Sequence, residues 1–348
     1  MKDSKQLLDL LLEAYSNAPE IYQAGRYWKA YESRIISDIE AADLNELRSG
    51  KYPIFATFGF TEIVHYNHPD QPFYKKAVLS TLRALNNPRI PSMPYGLYLS
   101  DIREMAYRHA EIMGQLAGLK PISELACSTF GNPNDLFEIN GNTYTTAFLT
   151  YYIRLCFVQM HLDLKGDETI VELGSGSGHQ IEIIKKVFPE MTVACFDLPY
   201  TLFLCNTYLK NVLPEGSVID AVEGIKQEDT LQIEKGKVNM FGNWQIPLLK
   251  DHSIDLFWNA ASFGEMEPEI VSNYLTHILP VTDAVYLLQA RHGKESKATK
   301  GVRKPTTFDD YCNMLNGFDL ITEEDPYQAN RKLKEGLAYF HAVWRKKQ

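Results

Sequence analysis

From residue 169 onward, apolar residues fall into short unbroken runs separated by stretches of helical period. That alternation predicts parallel strands joined by helices. The strand-like runs are Thr169–Leu173, Thr192–Asp197, Lys237–Phe241, Ser253–Trp258, Ala284–Gln289, Phe318–Thr322 and Leu337–Trp344. Gln180–Phe188 has one apolar face and is closed by Pro189, and a second helix is expected near Thr201–Val212. Residues 215–235 break the alternation and read as a local insertion with no assigned role.

Residues 1–165 show helical periods almost throughout. Gln6–Tyr15 carries leucines at helical spacing behind Ser4, a candidate cap, and Tyr27–Leu47 is a longer amphipathic pattern ended by Gly50. Gln71–Leu85 and Asp101–Leu116 predict two more helices, separated by the proline-rich connector Asn86–Gly96. Turns at Asn132-Pro-Asn134 and Asn140-Gly-Asn142 precede a last helix, Thr145–Leu162. The expected division is a mainly helical cap over residues 1–130, for substrate binding or dimerisation, and an α/β domain over 131–348. No internal repeat or low-complexity tract interrupts it.

Composition narrows the function classes. The 348 residues, 45% hydrophobic and 23% charged, are ample for a sizeable core. A formal net charge of −9 argues against a nucleic-acid partner, which needs a basic face. Cys127, Cys156, Cys195, Cys205 and Cys312 show no paired spacing and mostly sit in apolar runs, as buried reduced thiols do. Met1–Gln6 leads into an amphipathic segment rather than a signal sequence, and no stretch approaches 18 apolar residues. A cytoplasmic enzyme without a membrane span is expected.

The chemistry concentrates in Glu172-Leu-Gly-Ser-Gly-Ser-Gly178, at the end of the first strand. Glycines let a backbone approach a ligand that a Cβ would obstruct. Asp197 follows about 20 residues later, where a second strand presents a carboxylate to a ribose diol. A dinucleotide site needs Gly-x-Gly-x-x-Gly aimed at a pyrophosphate, whereas here the spacing is Gly-x-Gly-x-Gly. Glu172, two residues before the turn, would repel a pyrophosphate but suits a cofactor carrying an ammonium and a sulfonium.

This pattern resembles motif I of the class I S-adenosylmethionine-dependent methyltransferases. The resemblance implies a seven-stranded, doubly wound, Rossmann-like sheet whose final strand inserts antiparallel, with S-adenosyl-L-methionine as cofactor. Phe196-Asp-Leu-Pro199 and Val238-Asn-Met-Phe241 resemble the phenol-type O-methyltransferases. Asn140–Thr146 and Ser262-Phe-Gly-Glu-Met266 bring the chain closer to the sugar O-methyltransferases of antibiotic and surface-polysaccharide gene clusters. Transfer of a methyl group to a sugar hydroxyl is the expected reaction, the acceptor being nucleotide-linked, glycan or glycosylated metabolite. A phenol or polyketide acceptor is the rival within enzymes, and a silent cofactor-binding partner protein the rival outside them.

Carried over residue by residue, the resemblance gives each position a task. Gly174, Ser175, Gly176 and Gly178 form the loop under the methionine part, Glu172 faces its cationic end, and Asp197 with Leu198 meets the ribose. Asn239 stands where the phenol-type enzymes place an acid facing the adenine. Met240 packs on the adenine face, although a plain core methionine explains it as well. The histidine those enzymes carry after strand four is replaced by Trp258-Asn-Ala260, leaving Glu265 and His292 as candidate bases at the sheet's ligand-binding edge. His179 is expected to line the cofactor pocket. His65 and His68 are candidates to reach substrate from the cap, and Lys294–Lys304 is a basic run able to meet a phosphate. No ligand cluster argues for a metal, and the helical domain is a candidate for pairing two chains.

Overall fold

The computed structural model describes residues 2–59, 93–293, 301–326 and 339–348. The expected helix Gln71–Leu85, His65 and His68, and residues 294–300 of the basic run lie outside them, as do residues 86–92 of the connector and 337–338 of the last expected strand.

The central sheet is built from β3 (Thr169–Leu173), β4 (Thr192–Asp197), β5 (Val218–Ile219), β6 (Val238–Gly242), β7 (Ile254–Ala260), β8 (Thr282–Ala290), β9 (Phe318–Glu324) and β10 (Tyr339–Lys346). Their order is β5-β6-β4-β3-β7-β8-β10-β9. Neighbouring strands run parallel except around β10, which is antiparallel to both β8 and β9. This is the doubly wound α/β sheet with an inserted final strand that the sequence led us to expect. All residues of β3, β4 and β6 are buried, as strands covered on both faces must be.

One strand of this central sheet lies outside the expected set. Residues 215–235 contribute the two-residue edge strand β5 and the short helix Ala221–Ile225. Two residues have no readable period, so only the approach of β6 reveals the pairing. A Cβ on Gly224 would lie 1.7 Å from the Met240 carbonyl oxygen, which ties that helix tightly to β6.

Alternate residues of the strands feed two cores. One face, with Ile170, Val193, Cys195, Met240 and Trp258, packs against helices that include α5 (Thr146–Leu162), α6 (His179–Val187) and α7 (Pro199–Val212). The same core takes in Leu8 and Leu11 of α1 (Lys2–Ser16) and Ile35 and Ile39 of α3 (Glu32–Ala41). The other face, with Val171, Phe196, Phe257 and Val285, packs against α9 (Pro268–Ile278) and α10 (Phe308–Met314).

The long pattern Tyr27–Leu47 is not one helix. It divides into α2 (Arg26–Lys29), α3 and a 3-10 turn, Leu44–Glu46, which Asp43 caps through the Asn45 amide. The break lets Trp28 stack on Phe58, ring centres 5.5 Å apart, over the glycine turn's cavity. Helix α4 (Met93–Ala117) begins earlier than expected and absorbs the end of the proline-rich connector.

The N-terminal segment is tied by buried charge to two helices that cover the sheet. Arg48 donates to the Ser128 carbonyl at 2.7 Å and to Tyr208 Oη at 3.4 Å, and Tyr208 donates to Glu182 at 2.6 Å. Glu182 also accepts from Lys186 and from the Ser128 amide. Ahead of α5, β1 (Phe137–Ile139) and β2 (Asn142–Tyr144) form a hairpin around Asn140 and Gly141, both at positive φ, as a two-residue type I′ turn requires.

Candidate functional site

The turn after β3 is left-handed at every second residue: φ is +79° at Gly174, +56° at Gly176 and +78° at Gly178. Only glycine takes these angles freely. A Cβ on Gly174 would lie 2.4 Å from Ser262, and one on Gly178 would lie 2.9 Å from Leu209. Those two glycines are therefore demanded by the loop's own packing, and Gly178 does not line the cavity. Gly176 has room above it, its nearest neighbour being the Phe58 carbonyl at 3.5 Å.

Asp197, at the end of β4, organises the turn. Its carboxylate accepts from the Gly176 amide at 2.9 Å and from its neighbour Leu198 at 2.7 Å. The turn and Asp197 border a cavity of about 1170 Å³ of space free of atoms, counting its mouth. It opens at the C-terminal edge of the sheet, where open α/β sheets bind ligands. Trp28, Phe58 and Gly59 cover it from the N-terminal segment, Tyr151 and Arg154 of α5 close one side, and Tyr274 of α9 closes another.

The cavity is rich in acid. Burial pushes the Glu172 carboxyl up to about 8, with a further push from Asp197, while Arg154 pulls it down. Burial likewise raises Asp197 to about 7; the Gly176 and Leu198 amides oppose that rise and Glu265 adds to it. Among the described residues Glu172 Oε2 has no hydrogen-bond partner. Two desolvated carboxyls beside a third acid form a site that gains by taking up positive charge.

Of the sequence-derived candidates, the structure brings Glu172, Gly174, Ser175, Gly176, Asp197, Leu198 and Glu265 around one cavity. His179 joins them as expected; its Nδ1 lies 2.8 Å from Ser177 Oγ, and burial keeps its ring neutral, well below the usual histidine range. His292 is exposed on the turn after β8 and does not line the cavity, so the structure separates it from the site.

Asn239 and Met240 are also corrected. Both are fully buried within β6 and neither lines the cavity. The Asn239 side chain is spent on its own surroundings, accepting from the Glu234 amide at 2.8 Å and donating to the Glu234 carbonyl at 3.1 Å. The residue that β6 delivers is Asn243, just past its end. Its Nδ2 donates to the Tyr22 carbonyl at 2.6 Å and to Tyr274 Oη at 2.7 Å. That fixes the amide so that Oδ1, which has no partner among the described residues, is left as an acceptor beside the cavity. The rule that ligands meet strand ends points to this position, whereas the family motif falls on Asn239, four residues earlier and inside the strand.

Asn259 occupies the place of the missing histidine and is fully engaged. It donates to the Leu173 carbonyl at 2.8 Å and Ser262 Oγ at 2.7 Å, and accepts from Gln289 at 2.6 Å. It holds the loop after β7 against the glycine turn. That loop includes Ala261, a non-glycine residue at φ +70°.

No family model and no curated protein matches the sequence. Among solved structures, the pyocyanin biosynthetic protein PhzM is 14% identical, with a TM-score of 0.38, over 58% of this chain and 58% of its own. Magnesium protoporphyrin IX methyltransferase from Synechocystis PCC 6803 is 11% identical, with a TM-score of 0.40, over 58% and 81%. A SAM-dependent methyltransferase from Aquifex aeolicus is 14% identical, with a TM-score of 0.37, over 55% and 88%. At these identities and scores no ligand or activity carries over from them to this chain.

Proposed function

We propose that the chain is an S-adenosyl-L-methionine-dependent O-methyltransferase whose acceptor is a sugar hydroxyl. The observation that carries the cofactor is the anionic cavity at the strand ends, with Asp197 tied to the glycine turn and the Glu172 carboxyl buried beside it. The donor set fits the ligand. Asp197 has lone pairs remaining for two ribose hydroxyls, Asn243 Oδ1 suits the exocyclic amine of adenine, and Glu172 faces the ammonium and sulfonium. When bound, the cofactor supplies an electrophilic methyl group on sulfur.

The chain's own contribution is alignment and proton acceptance. Glu265, in the 3-10 turn Phe263–Glu265, borders the cavity and would take the acceptor's hydroxyl proton. Trp28 offers an aromatic ring for a sugar, and Gln23 an amide for its hydroxyls. Pairing through the helical segment, as in phenol-type relatives, belongs to the same proposal.

Calorimetry with S-adenosylmethionine and with NAD tests the cofactor, and methyl transfer to a panel of sugars tests the acceptor. Binding of NAD alone, or of neither, would overturn the reading. Glu265→Gln is expected to lower kcat about 100-fold with only a few-fold change in the cofactor Kd, and His292→Ala to leave kcat within about twofold of wild type. The opposite pattern would return the base to the turn after β8.

Cofactor affinity should also depend on pH. A cation favours ionised Glu172 and Asp197, whose carboxyls are raised to about 8 and about 7 before it binds. Binding therefore releases protons, and Kd should fall as pH rises from about 6 to about 8, by up to about tenfold per unit for each carboxyl still protonated, and level off above. Without ligand the sign is reversed for stability. Carboxyls raised in the folded state favour folding at low pH, and that contribution is lost as pH rises through about 7 and 8. The thermal shift produced by the cofactor should accordingly be larger at pH 8 than at pH 6, and a pH-independent shift would count against the charge assignment.

A further inference from the structure

Helix α5 presents Tyr151 and Arg154, three residues apart and so on one face, to the cavity. The Arg154 guanidinium lies over the Tyr151 ring, 4.7 Å from its centre. Tyr151 is in turn held from α6: its ring is 5.9 Å from that of His179, and its carbonyl accepts from Gln180 Nε2 at 3.2 Å. A stacked arginine on a supported ring loses little freedom on taking a ligand.

Charge makes this residue conspicuous. Among the described residues lining the cavity, Glu172, Asp197 and Glu265 are acids and Arg154 is the one lysine or arginine. Its field reaches Glu172, on the strand beside it. The amino-acid end of S-adenosylmethionine carries an α-carboxylate next to its α-ammonium. Three acids alone would repel that carboxylate, and burying it without a partner is costly.

We infer that Arg154 binds the α-carboxylate of the cofactor while Glu172 faces the α-ammonium, so that the cavity recognises a zwitterion. This rests on the cofactor proposed above. A planar guanidinium can meet a carboxylate with two parallel hydrogen bonds, which lysine cannot. Discrimination against ligands lacking the carboxylate follows directly.

The test is calorimetric titration of wild type, Arg154→Gln and Arg154→Lys with four ligands: S-adenosylmethionine, S-adenosylhomocysteine, decarboxylated S-adenosylmethionine and methylthioadenosine. Arg154→Gln should weaken the first two about 10- to 100-fold, the worth of a charged hydrogen-bonded pair, and the last two less than about twofold. Arg154→Lys should fall between. Methylthioadenosine, which lacks the amino-acid end, reports whether the variant site is still formed. Equal loss on all four ligands would make Arg154 a structural residue, and no loss on any would put the carboxylate elsewhere; either result overturns the inference. Failure of wild type to bind even methylthioadenosine would overturn the cofactor reading together with it.

Discussion

Asp197→Ala is expected to weaken S-adenosylmethionine binding at least about 100-fold, the largest effect of any single side chain at this site. Two contributions combine. The ribose loses a charged acceptor for both hydroxyls, each hydrogen bond being worth roughly 1.5–3 kcal/mol. The Gly176 and Leu198 amides lose theirs as well, at 2.9 and 2.7 Å, so the turn that would cradle the ligand is no longer pinned. Stability of the ligand-free fold should change much less, because the same substitution removes a desolvated carboxyl already raised to about 7. Asp197→Asn separates the two contributions. Its single oxygen can keep the Gly176 bond, but its amide group then faces the Leu198 N–H as a second donor, and an intermediate loss of about tenfold is expected. Calorimetry alongside thermal melts of the ligand-free proteins reads both quantities, and an alanine variant with a Kd within twofold of wild type would remove Asp197 from the site.

Gly174→Ala should destabilise the protein by roughly 2–5 kcal/mol, a large fraction of a typical folding free energy. The new Cβ would sit 2.4 Å from both Cβ and Oγ of Ser262, and the residue holds φ +79°. Overpacking costs about 1–3 kcal/mol and a left-handed alanine roughly 1–2. Ser262 cannot simply turn aside, since its hydroxyl is bonded to Asn259 at 2.7 Å and the Leu173 carbonyl at 3.2 Å. Adding Ser262→Gly removes the clash but leaves the backbone strain, so the double variant should recover about half of the loss. Denaturant midpoints decide it: a double variant no more stable than Gly174→Ala would show that strain, rather than the clash, sets the cost.

Asp197 and Gly174 are residues that the sequence marks plainly, and for related reasons. A fully buried parallel strand has to be a continuous apolar run, so β3 and β4 are visible from composition alone. The glycine turn between β3 and α6 is visible because its backbone angles tolerate no other residue. Asp197 stands out as an acid closing an apolar strand. Residues whose roles depend on distant neighbours were harder to place. Asn239 and Asn243 are both asparagines near one strand end, and only the hydrogen bonds distinguish them: four residues apart, one locks the approach to β6 and the other offers an oxygen to the cavity. His292 had a suitable side chain and a suitable strand, but its turn carries it to the surface. Arg154 sits in a hydrophobic helix and carried no motif, so nothing local pointed to it.

The alternating α/β order, the left-handed glycine turn after the first strand and the acid at the end of the second are legible in the chain alone. Each of these is imposed by short-range sterics or by burial of a contiguous run. Only the folded chain shows that β5 pairs with the edge of β6, that Asn243 rather than Asn239 reaches the cavity, and that Arg154 joins three acids there. Those outcomes depend on where a strand stops and which helix crosses it, and such long-range geometry leaves no periodic trace in the chain.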